Sequence, residues 1–361
     1  MMKEINDRQL AIICFVTLLG MKLLNLPSLL YGDFSFGGIL ILIFYLLLDL
    51  FIIFLILKIK KINEDLTFFE ILNKYFTKVI SYFIVGFLIV FCFLKLSYIF
   101  FEYHNYLSHS LALELDKFTF IFATFPVINA IVYRGIKAFA RTTEFFYVFL
   151  LIGLSLLLLL GVFSQEFFTV SPLGNFNEFI SSVGKRSMWF GDGIIVLILV
   201  ENFELKKHTT KKVVLDVLLL AFTTILFYIS YYVIYQTTAY MHAYALSDII
   251  QFSTKFGNVG KLDIIAILVA IFMFIFEMSI YSICCEKFVF RFVKNKFLSF
   301  ALLNVILIIL IYAVFQNTTN VINFFTGYAC YLSWFVSYIL PIILFVLCSF
   351  THKRREYEQG S

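Results

Sequence analysis

The segment Gly20-Met21-Lys22-Leu23-Leu24-Asn25-Leu26-Pro27 interrupts a long apolar run near the start of the chain, and Phe190-Gly191-Asp192-Gly193 interrupts another run further along. Each interruption places glycine, proline or a charge where the backbone would otherwise be helical. The freed N–H and C=O groups find no water in hydrocarbon, so they must meet protein groups or a ligand. Two interruptions at corresponding places are the best sequence indication of a binding site near the middle of a membrane.

Hydrophobic residues make up 62% of the chain and charged residues 14%, with a mean hydropathy of +0.96. Soluble globular proteins are nearer about half apolar and a quarter charged. The composition therefore predicts an all-α, polytopic membrane protein and excludes a soluble one. The net charge of +5 does not indicate a nucleic-acid partner, because the basic residues lie between the apolar runs, where they orient membrane helices.

Apolar runs of about 17 to 25 residues, the length that crosses a bilayer as a helix, predict ten transmembrane helices. Their approximate ranges are 8–30, 37–57, 79–103, 118–133, 142–163, 178–204, 213–238, 262–286, 297–315 and 323–349. We expect two repeats of five helices with inverted topology, 8–163 and 178–349, a plan common among transporters. A basic tail follows at 350–361. The interruptions then fall in helices 1 and 6.

Most cationic residues lie in alternate connections, and the opposite loops hold only Lys117, Lys255 and Lys261. The positive-inside rule therefore predicts a multi-pass cell-membrane protein with both termini in the cytoplasm. The loops are short, so we expect no attached catalytic domain, no enzyme activity and no cofactor. His104 and His109 share an outer loop, but without a third ligand they do not predict a metal site.

The two interruptions favour a small zwitterion such as an amino acid. The N-terminus of a half-helix presents unpaired N–H groups and the positive end of its dipole, which suits a carboxylate. The ligand's ammonium group then needs carbonyls or an acid, and Asp192 is the first candidate. The alternative is that Asp192 caps the second half of helix 6.

Lys22 places a fixed cation in helix 1, and intramembrane charges indicate function by default. Its ammonium group could hold a coupling-ion position permanently. A salt bridge with Glu277 or Asp192, or snorkelling to the surface, would instead be a structural explanation.

Glu277 and Tyr281 lie four residues apart in helix 8 and share a helix face. Glu277 could bind the ligand's ammonium, neutralise Lys22 or relay a proton. The hydroxyls of Tyr281 and of Tyr98 in helix 3 could bind a ligand carboxylate, and simple packing is the alternative for both. The predicted ligand-binding residues are Gly20, Met21, Lys22, Asn25, Tyr98, Phe190, Gly191, Asp192, Gly193, Glu277 and Tyr281.

Two further charges, Asp49 in helix 2 and Lys95 in helix 3, lie among leucine, isoleucine and phenylalanine. Either charge alone would cost about 2.5 to 3.5 kcal/mol on insertion scales. We therefore expect them to pair with each other. A water-filled path through the bundle is the functional alternative.

Several stretches together resemble the B subunits of spore germinant receptors, which are endospore germination permeases of the amino acid–polyamine–organocation superfamily. The stretches are Asp7-Arg8-Gln9-Leu10, Gly20 to Leu26-Pro27, Tyr133 to Arg141 followed by Glu144, and Ser171-Pro172. The resemblance covers nearly the whole length. It implies a LeuT-like fold whose helices 1 and 6 unwind around a small ligand, and a nutrient sensor in the spore inner membrane that works with a larger A subunit and a lipoprotein C subunit.

Two functions are compatible with these features. In a receptor subunit, a germinant would shift a two-state bundle and signal germination to partner proteins. In an ion- or proton-coupled amino acid or amine transporter, the same bundle would need a coupling ion and a reversible gate. The fixed cation Lys22 and the resemblance favour the receptor, whereas the two interruptions fit both. We expect a small-molecule ligand, membrane lipid and the A and C subunits as partners.

Overall fold

The computed structural model describes residues 4–111, 116–163, 175–254, 263–314 and 318–360. The helices are α1 (Asp7–Leu19), α2 (Leu26–Phe34), α3 (Gly38–Ile62), α4 (Phe68–Tyr75), α5 (Lys78–Ser110), α6 (Lys117–Arg134), α7 (Ile136–Phe163), α8 (Phe176–Lys185), α9 (Ile194–Ile198), α10 (Thr209–Tyr235), α11 (Ala245–Thr254), α12 (Asp263–Val293), α13 (Lys296–Ile309), α14 (Thr318–Thr326), α15 (Tyr328–Trp334) and α16 (Leu340–Gly360). Among the described residues, an isolated parallel bridge between Ile5 and Phe203 is the one β-type pairing.

Six stretches of the described chain are long and apolar enough to cross a membrane. They are Leu26–Ile62, Lys78–Ser110, Ile136–Leu159, Thr209–Met241, Ile264–Val293 and Asn320–His352. The protein is therefore an all-α, multi-pass membrane protein. The division into ten helices and two inverted repeats stays a prediction, because the remaining helices are shorter or less apolar. The predicted tail continues α16 in helical form.

The first interruption separates α1 from α2. Helix α1 begins with a capping box in which Asn6 and Gln9 bond each other's backbone N–H groups, and it ends where Gly20 adopts φ +27°. A 3-10 turn, Gly20–Leu23, follows, and α2 begins with Pro27 in its first turn, where a residue without an N–H group is favoured. With 13 and 9 residues, the two pieces span about 20 and 14 Å.

The second interruption lies between α8 and α9. A 3-10 turn at Ser187–Trp189 leads to Phe190 in extended conformation and to Gly191 with φ +81°. The prediction of one span over 178–204 is wrong at its end, because α9 stops at Ile198 and the chain continues in turns. The Asn202 carbonyl there accepts hydrogen bonds from the N–H groups of Glu4 and Ile5, both at 3.0 Å. The N-terminal segment therefore stabilises this irregular stretch.

Both interruptions lie inside the bundle. Helix α1 packs against α7, α10 and α12, the 3-10 turn that follows it contacts α5 and α12, and α9 packs against α3 and α12. The positively charged outer-loop residues Lys255 and Lys261 and the Ser171-Pro172 pair lie outside the described residues.

Two independent features, the backbone conformation and a close neighbour, exclude a side chain at Gly191. Its positive φ is costly for an L-residue, and a Cβ atom would overlap Ser337 Oγ. We predict that Gly191→Ala lowers the free energy of unfolding by at least about 1–2 kcal/mol, measured by thermal unfolding in detergent. Adding Ser337→Ala should not recover the loss, because the Cβ atom of residue 337 would still lie 2.5 Å from the new Cβ atom.

The control is Gly86→Ala in α5, where a Cβ atom would meet nothing within 4 Å. This change should leave stability unchanged or raise it by up to about 1 kcal/mol, because alanine is the better helix former. Equal thermal unfolding of the two variants would contradict the proposed strain at Gly191.

Candidate functional site

A single carboxylate connects the two interruptions. Asp192 Oδ2 lies 2.8 Å from Lys22 Nζ, and Asp192 Oδ1 lies 2.8 Å from Lys95 Nζ. The Tyr281 hydroxyl donates to Asp192 Oδ1 at 2.6 Å. All four side chains are at most 1% exposed. The first interruption supplies Lys22, the second supplies Asp192 and α5 supplies Lys95, so this ion triad ties three separate elements together.

Side chains also satisfy the backbone groups that the second interruption frees. Lys95 Nζ donates to the carbonyls of Met188 at 2.7 Å and Phe190 at 3.4 Å. The Gly191 N–H donates to Asp49 Oδ1 at 3.1 Å, and the Tyr338 hydroxyl donates to the same oxygen at 3.2 Å. Lys95 thus replaces the missing helical donors for the freed carbonyls, and Asp49 replaces the missing helical acceptor for the freed Gly191 N–H.

The first interruption is satisfied in the same way. The hydroxyl of Tyr228 donates to the Lys22 carbonyl at 2.8 Å, and the hydroxyl of Tyr232 donates to the Pro27 carbonyl at 3.0 Å. The Leu24 carbonyl accepts from the Ala245 N–H at 3.0 Å. Protein groups therefore take up the hydrogen bonds of the unwound backbone, which allows it to lie inside a membrane-spanning bundle.

One sequence expectation about the charges is wrong, and one of the alternatives given for Asp192 is not found. Asp49 and Lys95 do not pair with each other, since Lys95 bonds Asp192 and Asp49 bonds the Gly191 N–H and Tyr338. Asp192 does not cap α9 either, because the N-cap residue is Gly193 and makes no side-chain capping bond. The physical reason is shared: the turn at Gly191 directs the Asp192 carboxylate towards α5 rather than along its own helix. Of the alternatives for Lys22, the salt bridge with Asp192 is found.

Glu277 lies beside the triad. Its carboxylate packs against Gly20 so closely that a Cβ atom there would be 2.5 Å from Glu277 Oε1. Glu277 is 1% exposed and interacts electrostatically with Asp192, Lys95 and Lys22. Among the described side chains, Glu277 Oε2 and Asp49 Oδ2 are buried oxygens without a hydrogen bond. Such atoms call for a ligand, ion or water. With all acids and lysines ionised, Asp49, Asp192 and Glu277 carry three negative charges against the two positive charges of the lysines.

The remaining predicted residues lie around the triad or in a neighbouring group of side chains. The Phe190 ring stacks on Tyr45 with centroids 4.1 Å apart and lies 5.2 Å from Lys22 Nζ. Met21 is buried in the 3-10 turn, and Gly193 packs against Ile53, which would lie 3.2 Å from its Cβ atom. Asn25 and Tyr98 do not join the triad; they lie in a second group of side chains around Trp189.

Several buried polar residues near the two interruptions were not predicted from the sequence. Glu102 and Arg186 are buried charges inside predicted spans, so the rule that singled out Asp49 and Lys95 would have found them. Tyr228 and Tyr338 carry no such signal, because 21 tyrosines occur in the chain and their roles depend on which carbonyl or carboxylate lies opposite.

Comparison with known proteins gives one match. The family model described as spore germination protein matches residues 4–322 of the chain, which confirms the resemblance noted from the sequence. No curated protein matches the chain.

The triad predicts a large effect of neutralising its centre. Asp192→Asn should destabilise the protein by about 3–5 kcal/mol, because two buried ammonium groups lose their counter-charge. Adding Lys95→Met should restore part of that stability by removing one of the two cations. Thermal unfolding of purified protein in detergent measures both effects.

Glu144→Gln is the matched control. Its carboxylate pairs with Arg8 at 3.5 Å and is 29% exposed, so the loss should stay below about 1 kcal/mol. Equal losses for Asp192→Asn and Glu144→Gln would contradict a buried triad.

Proposed function

This chain belongs to the spore germination protein family, and we propose that it is the nutrient-sensing membrane subunit of a spore germinant receptor. It binds a small germinant, an amino acid, between the two interruptions and passes the change to partner A and C subunits. It acts in the spore inner membrane with both termini in the cytoplasm.

The observation that carries this proposal is the occupation of Asp192 by two ammonium groups of the protein itself. A ligand ammonium that binds Asp192 must take the place of Lys22 or Lys95. Either lysine is also bonded to backbone or packed against an interruption, so its departure changes the bundle. Ligand binding and conformational change are then one event, which is what a population-shift sensor requires.

The same observation favours sensing over transport. A transporter of this plan needs a coupling ion that enters and leaves, whereas the Lys22 ammonium is covalently fixed and 0% exposed. Protonation or ion binding at Glu277 would be the corresponding feature of a transporter, and uptake measurements distinguish the two functions.

The deciding experiment is deletion of the gene in its native spore-former. The fall in optical density of purified spores is recorded with each amino acid in turn. Loss of response to particular amino acids, restored by complementation, supports the sensor. Normal germination with impaired amino-acid uptake in growing cells, after paralogues have been removed, would establish the transporter instead.

Lys22→Ala should shift the dose dependence of the germination response by at least about tenfold towards lower germinant concentrations, because the internal competitor for Asp192 is removed. Membrane insertion should persist, as judged by immunoblots of the spore membrane fraction. Lys58→Ala, at an exposed position of α3, is the control and should respond as the parent does. An unchanged dose dependence in Lys22→Ala would make Lys22 a purely structural charge.

A further inference from the structure

A second polar group lies towards the end of the bundle that the charge distribution predicts to be outside. We call it the outer polar layer; it consists of Asn25, Tyr98, Glu102, Arg186 and Trp189. Glu102 follows Lys95 by about two turns of α5, which places the layer roughly 10 Å from the triad along the helix axis.

The layer contains buried polar atoms that make no hydrogen bond. Glu102 is 1% exposed and Arg186 7%. Arg186 donates to Asp33 from Nε at 2.7 Å and from Nη2 at 2.9 Å, while its Nη1 makes no hydrogen bond. Glu102 Oε1 and the Tyr98 hydroxyl make none either. A buried carboxylate oxygen and a buried guanidinium N–H edge that make no hydrogen bond are costly unless something binds them.

These two charges are neighbours without being a pair. Glu102 and Arg186 interact electrostatically, yet among the described residues the ion pair of Arg186 is with Asp33. A negative and a positive group therefore lie near each other, which is the arrangement that the two ends of a zwitterion complement.

Aromatic rings and one partly exposed residue accompany these charges. The Tyr98 and Trp189 rings meet edge to face with centroids 5.1 Å apart, and the Tyr98 ring also lies 4.3 Å from Phe325. Trp189 Nε1 donates to Asn25 Oδ1 at 3.1 Å, and the Asn25 side chain also interacts with Tyr98 and Glu102. Within Gly20–Pro27, Asn25 is the residue that retains solvent exposure.

We propose that the outer polar layer is a binding site for the α-ammonium and α-carboxylate groups of an amino acid. The ammonium binds Glu102 Oε1 beside the rings of Tyr98 and Trp189, and the carboxylate binds Arg186 Nη1. The inference rests on the proposed function, since the amino acid is the germinant. It adds a site that the germinant occupies before it reaches Asp192, and no lysine has to be displaced there.

Binding to the purified, full-length protein in lipid nanodiscs tests the ligand class. The twenty proteinogenic L-amino acids are titrated by calorimetry, followed by the carboxamide and the N-acetyl derivative of the tightest ligand. Each derivative lacks one charge, so each should bind at least about tenfold more weakly. Derivatives that bind as well as the parent amino acid would overturn the proposal without any variant being made.

Two variants test the residues. Glu102→Gln should weaken binding of the amino acid and of its carboxamide about tenfold and leave the N-acetyl derivative unaffected. Arg186→Gln should weaken the amino acid and the N-acetyl derivative and leave the carboxamide unaffected. Asp33→Asn is the control, because it breaks the same ion pair but keeps Arg186 Nη1, and it should retain affinity.

Three outcomes separate this inference from the proposed function. Loss of affinity in the two variants with the stated selectivity supports the outer site. Parental affinity in both variants, with binding lost in Asp192→Asn, overturns the outer site and leaves the proposed function standing. No binding of any amino acid to the parent protein overturns both.

Discussion

The carboxylate of Asp192, held between the ammonium groups of Lys22 and Lys95, is the interaction on which the rest of this structure depends. Each charge alone would be expensive in hydrocarbon, at about 2.5 to 3.5 kcal/mol on insertion scales. Together they permit two helices to be interrupted at the same depth, because Lys95 also bonds the carbonyls of Met188 and Phe190. The ion triad therefore compensates both the buried charges and the unwound backbone.

The sequence located the interruptions but not their partners. Glycine, proline and charge inside apolar runs are local signals, and both interruptions occur where those signals lie: α1 ends at Gly20, and Gly191 lies between α8 and α9. Which charge meets which depends on the direction of the chain after Gly191 and on the face that α5 turns inward. That is why the expected Asp49–Lys95 pair is not found, and why the alternative of a capping role for Asp192 is not found either. The end of α9 at Ile198 was missed because Leu199 and Val200 continue the apolar run before Glu201.

The buried polar groups form two layers: an inner layer, which is the ion triad, and the outer polar layer. Acid and base are paired in the first, whereas the second contains polar atoms without a hydrogen bond. In the inner layer the protein supplies both ammonium groups that Asp192 binds, so a ligand must compete with covalently attached lysines. In the outer polar layer Glu102 Oε1 and Arg186 Nη1 have no partners, so a zwitterion binds without competition. A ligand captured in the outer layer would then be adjacent to the lysines that it must displace. Such an arrangement couples occupancy to a rearrangement of both interruptions, as a two-state sensor needs.

An experimental structure of the ligand-free protein in lipid nanodiscs, determined by electron cryo-microscopy at side-chain resolution, tests the central claim most directly. The account predicts density that joins the Asp192 carboxylate to both lysine side chains at hydrogen-bond distance. Density that shows Lys22 or Lys95 directed towards the membrane surface, with Asp192 facing a cavity alone, would contradict it.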